Sequence, residues 1–334
     1  SLTQEYNYEY ISNMNILVDD DQDNNYNEDE IIRELTRMYS IQTTETTLNL
    51  YRKNLSKLSD IYKFTNLQIL HCEYINLISI PPLPDTLVEL HCTKSHVQNL
   101  PPLPKSLKVL SCAGNCLMIL PPLNNSLIIL RCGDNRLITL PSLPDNLEFI
   151  DCHNNKISSL PPLNRNLREL ACHNNRLTSL PLLNDKLLFL CCHNNRLTSL
   201  PPLNIELKAL FCWACNITSL PPLNNNLRTL VCGSNDLSYL PDIDNLETLD
   251  CSYNEINYIV RHYNNDIKVT KSRVKTLNRF RDLFYALKYK NKFRTWMWNL
   301  IEKNAPIKYS PDNLEAVLMD VVDDDFQDVL DNWW

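Results

Sequence analysis

From Pro81 to Leu240 the chain repeats itself every twenty residues, in rows that run PPLPDTLVELHCTKSHVQNL, PPLPKSLKVLSCAGNCLMIL, PPLNNSLIILRCGDNRLITL and onward. Each row obeys P-P-L-x-x-x-L-x-x-L-x-C-x-x-N-x-L-x-x-L with few exceptions. Nothing else in the sequence restricts the fold as much. A unit of this size buries too little apolar surface to offset the entropy of ordering itself, so it must stack on its neighbours. A fixed period near twenty therefore predicts a solenoid.

The x-L-x-C-x tract reads as a short parallel strand, on which side chains alternate between faces. Leu170 and Cys172 then point inward, and Ala171 and His173 outward. The decapeptide CHNNRLTSLP occurs at Cys172–Pro181 and Cys192–Pro201, with the near copy CHNNKISSLP at Cys152–Pro161. Its Cys and His fall on opposite faces, so a neighbouring pair cannot share one metal. The cysteine column from Cys72 to Cys251 is expected to be a spine of small packing groups. Asn115, Asn135, Asn155, Asn175, Asn195, Asn235 and Asn254 form a second column, where an amide can satisfy backbone groups of the turn and the next coil. Pro-Pro pairs on the other side exclude helix and favour extended polyproline II geometry.

LPPLPKSLKVLSCAGNCLMILPPL (Leu100–Leu123) resembles the bacterial-type leucine-rich repeat, L-P-x-L-P-x-x-L-x-x-L-x-x-x-x-N-x-L, of effectors secreted by enteric pathogens. The resemblance spans about Leu67 to Leu240. It implies a leucine-rich repeat solenoid, α/β by convention, with short parallel strands on the concave face, an extended convex side and helical caps at both ends. Some such effectors carry a C-terminal ubiquitin-ligase domain with a catalytic cysteine. The last cysteine here is Cys251, inside the repeats, so that activity is not carried over. A second stretch, KYSPDNLEAVLMDVVDDDFQDVLDNWW (Lys308–Trp334), resembles an ending that recurs on proteins of mimivirus-type giant DNA viruses. The 42 asparagines and 3 glycines suit an AT-rich genome of that kind.

Charge marks the organisation. Residues 1–46 carry a net −9, 47–260 are neutral, 261–303 carry +9 and 304–334 carry −7. We expect an acidic, disordered segment at 1–28, an N-terminal capping helix at 29–46 and a solenoid of about eleven strands at 47–270. A basic helical cap at 271–303 and an acidic tail at 304–334 complete the expected order, with Ile267–Val269 adding a final strand. The basic residues Arg279, Arg281, Lys288, Lys290, Lys292 and Arg294 lie among aromatics, a pattern that meets phosphates. The acidic tail that follows can neutralise them instead, so nucleic acid is not the expected partner. No run of eighteen apolar residues occurs, and the first residues lack a signal-peptide pattern, which predicts a soluble chain with neither membrane span nor secretion signal. Thirteen regularly spaced cysteines, an odd number, suit reduced thiols in a cytoplasmic compartment.

Function on such a scaffold belongs to the outward strand positions. Phe149, Phe189, Cys191, Phe211 and Trp213 are expected to cluster there as an exposed apolar patch, rimmed by Arg131, Asp151, His153, His173 and His193. Patches of this kind mark interaction sites. The three histidines lie one strand apart and could converge on zinc near Cys191, but their identical flanks favour simple duplication, so no metal or cofactor is expected. No nucleophile–base constellation or phosphate-cradling loop points to an enzyme. The sequence reads as a non-enzymatic scaffold for a host or viral protein. A virion assembly component and a nucleic-acid accessory protein are the competing readings.

Overall fold

The computed structural model describes residues 46–256 (apart from 54, 56, 57, 59 and 60), the helical stretch 267–279, and positions 33, 37, 281, 282 and 288–290. The chain divides into two compact units, 1–275 and 276–334. The expected segments 1–28 and 304–334, most of the helix at 29–46 and most of the basic cap lie outside the described residues.

Eleven three-residue strands, from β1 (Thr47–Asn49) to β11 (Thr248–Asp250), pair in strict sequence order. Every pairing is parallel and in register, so that Arg131 faces Asp151, Ala171 faces Cys191 and Cys191 faces Phe211. The sheet is one wall of a solenoid. Its inner side carries the repeated apolar set: in one turn Leu167, Leu170, Cys172 and Leu177 are all at most 1 % exposed. Removing one such leucine side chain would cost roughly 2–5 kcal/mol. The first turn is longer, and Leu50, Leu55, Leu58, Ile61 and Phe64 fill its interior around a 3-10 turn at Ile61–Lys63.

The asparagine column holds the turns together. The Asn195 amide nitrogen donates to the carbonyls of Cys172 (3.1 Å), Cys192 (2.9 Å) and His193 (3.3 Å), while its oxygen accepts from the Leu177 amide (2.9 Å). One side chain thus satisfies four backbone groups on two successive coils. Ser95 and Cys215 stand in the same column and make fewer or longer contacts, as in Cys215 Sγ to the Cys192 carbonyl at 3.6 Å. The residue before each column member takes a left-handed backbone conformation, at φ 49–54° for Asn154, Asn174 and Asn194. Asparagine tolerates that region better than most residues. Outside the duplicated motif the position holds Tyr74, Lys94, Gly114, Asp134, Ala214, Ser234 or Tyr253.

Two expectations fail. Residues 267–269 are helical, opening a helix that runs to 279, and the last strand among the described residues is β11. Two apolar residues around a lysine cannot distinguish strand from helix by themselves. Here Ile267 and buried Val274, seven residues apart, lie on one helical face and pack on the core. Lys271 and Lys275 anchor the same helix to the Asp244 carbonyl (2.7 Å) and carboxylate (3.6 Å). The second failure is Cys191, which is 8 % exposed instead of open to solvent. Strand alternation assigns the face of a side chain but not its depth, and its neighbours on the adjacent strands crowd it.

All thirteen cysteines are free thiols, and only Cys116 is partly exposed. Burial pushes the Cys112 thiol up to about 12 and raises the other thiols of the column as well. A native thiol titration should therefore modify Cys116 first and leave the column untouched, with all thirteen reacting in denaturant. Rapid native labelling of Cys152 or Cys172 would contradict the inward assignment.

Candidate functional site

The outward face of the sheet is built from three columns. Two come from the ends of each strand and one from the residue just after the cysteine. Because all pairings are in register, equivalent side chains stack along the solenoid at the spacing of parallel strands. The imidazoles of His153 and His173 stack with centroids 4.9 Å apart, His173 and His193 at 4.4 Å, and the Trp213 ring continues the stack 4.1 Å from His193. Phe189 and Phe211, on adjacent strands, meet at 5.4 Å. The Arg131 guanidinium lies over the Phe149 ring, 5.0 Å from its centroid. The expected residues do come together, yet all are buried or half-buried. The exposed large apolar residues Ile78, Met118, Ile119, Ile138, Leu182 and Ile205 lie off this face.

At one end of the stack the chemistry is ionic. His153 Nδ1 is 2.6 Å from Asp151 Oδ1 and its Nε2 is 3.2 Å from Asp134 Oδ2. Gly133 makes room for this, because a methyl group there would overlap the imidazole of His153. Neither Asp134 nor Gly133 stands out in the sequence, although both sit about one period before His153's own motif. A second histidine pair, His71 and His91, stacks at 4.7 Å, with His91 Nε2 3.1 Å from Glu89 Oε2. That hydrogen bond holds the Glu89 carboxyl below its usual value.

The three stacked imidazoles differ electrostatically. The hydrogen bond to Asp151 raises His153 above its ordinary value, against the opposing effect of burial. Burial lowers His173, with the neighbouring His153 charge adding to it. Burial and the same neighbours drive His193 down to about 4. In metal-free protein, an NMR titration from alkaline to acid should show His153 protonating first and His193 last. His153 stabilises the fold in its charged form, a contribution present below about 6.5 and lost as pH rises through its raised value. His173 and His193 act oppositely, contributing above about 6.5 and losing that contribution as pH falls toward the lowered values. A His193 that titrates near 6.5 would show that its ring is not sheltered.

A parallel sheet in strict sequence order, a leucine and cysteine core and a buried asparagine ladder decide the architecture. The chain is a leucine-rich repeat solenoid. No protein-family model and no curated protein matches it. Among solved structures it is similar to YopM from Yersinia enterocolitica WA-314, at 33 % identity and TM-score 0.62 over 63 % of this chain and 46 % of that one. It is also similar to YopM of Yersinia pestis, described as a leucine-rich effector protein, at 31 % identity and TM-score 0.62, covering 68 % of this chain and 65 % of that one. The leucine-rich repeat domain of APL1B shares the fold at 17 % identity and TM-score 0.53. The solenoid thus spans less than two thirds of either YopM chain. No helix among its described residues is long and apolar enough to cross a membrane.

Proposed function

We propose that this leucine-rich repeat protein is a non-enzymatic scaffold that holds a protein partner against its strand face. The observation that carries this is the aromatic group of Phe189, Phe211 and Trp213, ordered on adjacent strands and unexplained by the repeat pattern. Rigid aromatics, with Arg131 and Asp151 several strands along the same face, have the composition of an interface centre with a polar rim. The likeness to structures described as a leucine-rich effector supports a role of that type. The thirteen free thiols support a reducing compartment such as a cytoplasm. A giant-virus origin rests on the resemblance of residues 308–334 and on the asparagine-rich, glycine-poor composition. The test is affinity capture from host lysate with wild-type protein and with a variant carrying serine at Phe189, Phe211 and Trp213, followed by calorimetry on any protein captured. Equal capture by the two proteins would move the binding surface elsewhere.

A further inference from the structure

We propose that His173, Cys191 and His193 form a binding site for one zinc-class transition-metal ion, with two imidazole nitrogens and a thiolate as ligands. One donor atom from each residue lies within 4.8 Å of the other two. Cys191 Sγ is already 3.4 Å from His173 Nδ1. A tetrahedral zinc with bonds of about 2.1 Å to nitrogen and 2.3 Å to sulfur sets its donors roughly 3.5 Å apart. Closing the set needs the donors to approach by about an ångström, and the stacked His173 and His193 rings to turn so that their in-plane lone pairs converge.

His193 Nδ1 is the second observation. It is buried and has no hydrogen-bond partner. Native proteins rarely leave such an atom unpaired, and a bound ion is one of the accepted reasons. The residue that carries this orphan nitrogen belongs to one cluster with the thiol. His153 is excluded from it, because its two nitrogens are taken by Asp151 and Asp134.

Cys191 is what duplication does not explain. Copying the CHNNRLTSLP unit accounts for the histidines and their flanks, and Cys191 lies just outside that unit. Its column otherwise reads His71, His91, Ser111, Arg131, Asp151, Ala171, Phe211 and Val231. The single cysteine of that column falls between two histidines of the next. A donor set of two imidazoles and a thiolate suits zinc and, by softness, competes poorly for magnesium or calcium. On binding, the Cys191 S–H proton is released to solvent and the sulfur lone pair forms the metal bond. The fourth tetrahedral position is left for water. The other donor cluster among the described residues, His71, Glu73 and His91, has its His91 Nε2 already held by Glu89 and serves as a control.

The experiment uses the full chain without an affinity tag, stripped with chelator, titrated with cobalt(II) alone and then with zinc. One cobalt per chain should bind with tetrahedral ligand-field bands and a thiolate-to-cobalt charge-transfer band, and zinc should displace it. Cys191→Ser and Cys191→Ala should each abolish the charge-transfer band. His173→Gln and His193→Gln should each weaken binding by about 100-fold or more, beyond the loss typical of outer-shell changes. Cys116→Ser and His91→Gln should bind as wild type. Metal-free melting temperatures close to wild type, measured on each variant, separate ligand loss from unfolding, and the paired substitutions at Cys191 guard against one of them failing to fold. Absence of the charge-transfer band in wild type, or its persistence in either Cys191 variant, would overturn the site. The readout needs no partner, so it stands or falls apart from the scaffold reading.

Discussion

Replacing Asn155 with alanine should destabilise the solenoid by about 3 kcal/mol or more, read as a fall in the urea midpoint at an unchanged slope. The side chain is buried and makes four bonds. Its nitrogen donates to the carbonyls of Cys132 (3.0 Å), Cys152 (3.1 Å) and His153 (3.0 Å), and its oxygen accepts from the Leu137 amide (2.9 Å). Alanine removes one bond from each of the four groups: the Leu137 amide loses its acceptor, while the Cys132, Cys152 and His153 carbonyls keep bonds from Asn135, Asn175 and the Asp134 amide, and an unpaired buried group costs about 1–3 kcal/mol. Losing one of two bonds at each carbonyl costs less than orphaning it, about 0.5–1.5 kcal/mol apiece, which is why the expected total is well below that of four orphaned groups. The neighbouring residue provides the contrast. Asn154 is exposed, has φ 49° and bonds along the surface ladder, where its amide nitrogen donates to Asp134 Oδ1 at 2.6 Å. Asn154→Gly should therefore change stability by under about 0.5 kcal/mol, since glycine accepts the left-handed conformation. If the two variants were equally mild, the asparagine column would be decoration and not the tie between coils. Cys215 offers the reverse experiment: Cys215→Asn should gain stability, because the sulfur reaches its carbonyls only at 3.6 and 3.7 Å.

The repeat makes the fold legible because a twenty-residue period permits few arrangements. Once the x-L-x-C tract is read as a strand, alternation places Leu170 and Cys172 inside and His173 outside, which is where they lie. Legibility ends where periodicity stops. Ile267–Val269 has no repeat around it, and its helix is decided by Val274 one further turn pair away, a tertiary contact that local apolar content cannot reveal. On the outward face the sequence supplies the columns but not the depth. Cys191 points away from the core, yet His173 closes over its sulfur at 3.4 Å. The partners of His153 are also hidden in part. Asp151 is two residues away on the same face and readable by alternation, whereas Asp134 comes from the previous turn and Gly133 matters only for the space it leaves.

Serine at Phe189, Phe211 and Trp213 together should cost a strand-face partner several kcal/mol of affinity, because truncating a buried aromatic anchor loses about 2 kcal/mol or more. Stability should fall much less. None of the three belongs to the interior, where Leu190, Leu210, Cys192 and Cys212 are fully buried. Equivalent positions in other turns hold Glu169, Thr229, Ala113 or Gly233, so the fold itself requires no aromatic there. Within the chain, the triple change removes the Phe189–Phe211 pair at 5.4 Å and the stack of Trp213 on His193 at 4.1 Å. Aromatic pairs contribute about 0.5–1.5 kcal/mol beyond area burial, so the unfolding free energy should drop by roughly 1–3 kcal/mol and leave the solenoid folded. Urea unfolding and calorimetric binding on the same preparations separate the two effects. A stability loss well above about 4 kcal/mol would mean that the aromatics are roofed by another part of the chain or by a second copy. Unchanged affinity with modest destabilisation would instead direct the partner to the exposed apolar residues Ile78, Met118, Ile119 and Ile138, which lie elsewhere on the repeats.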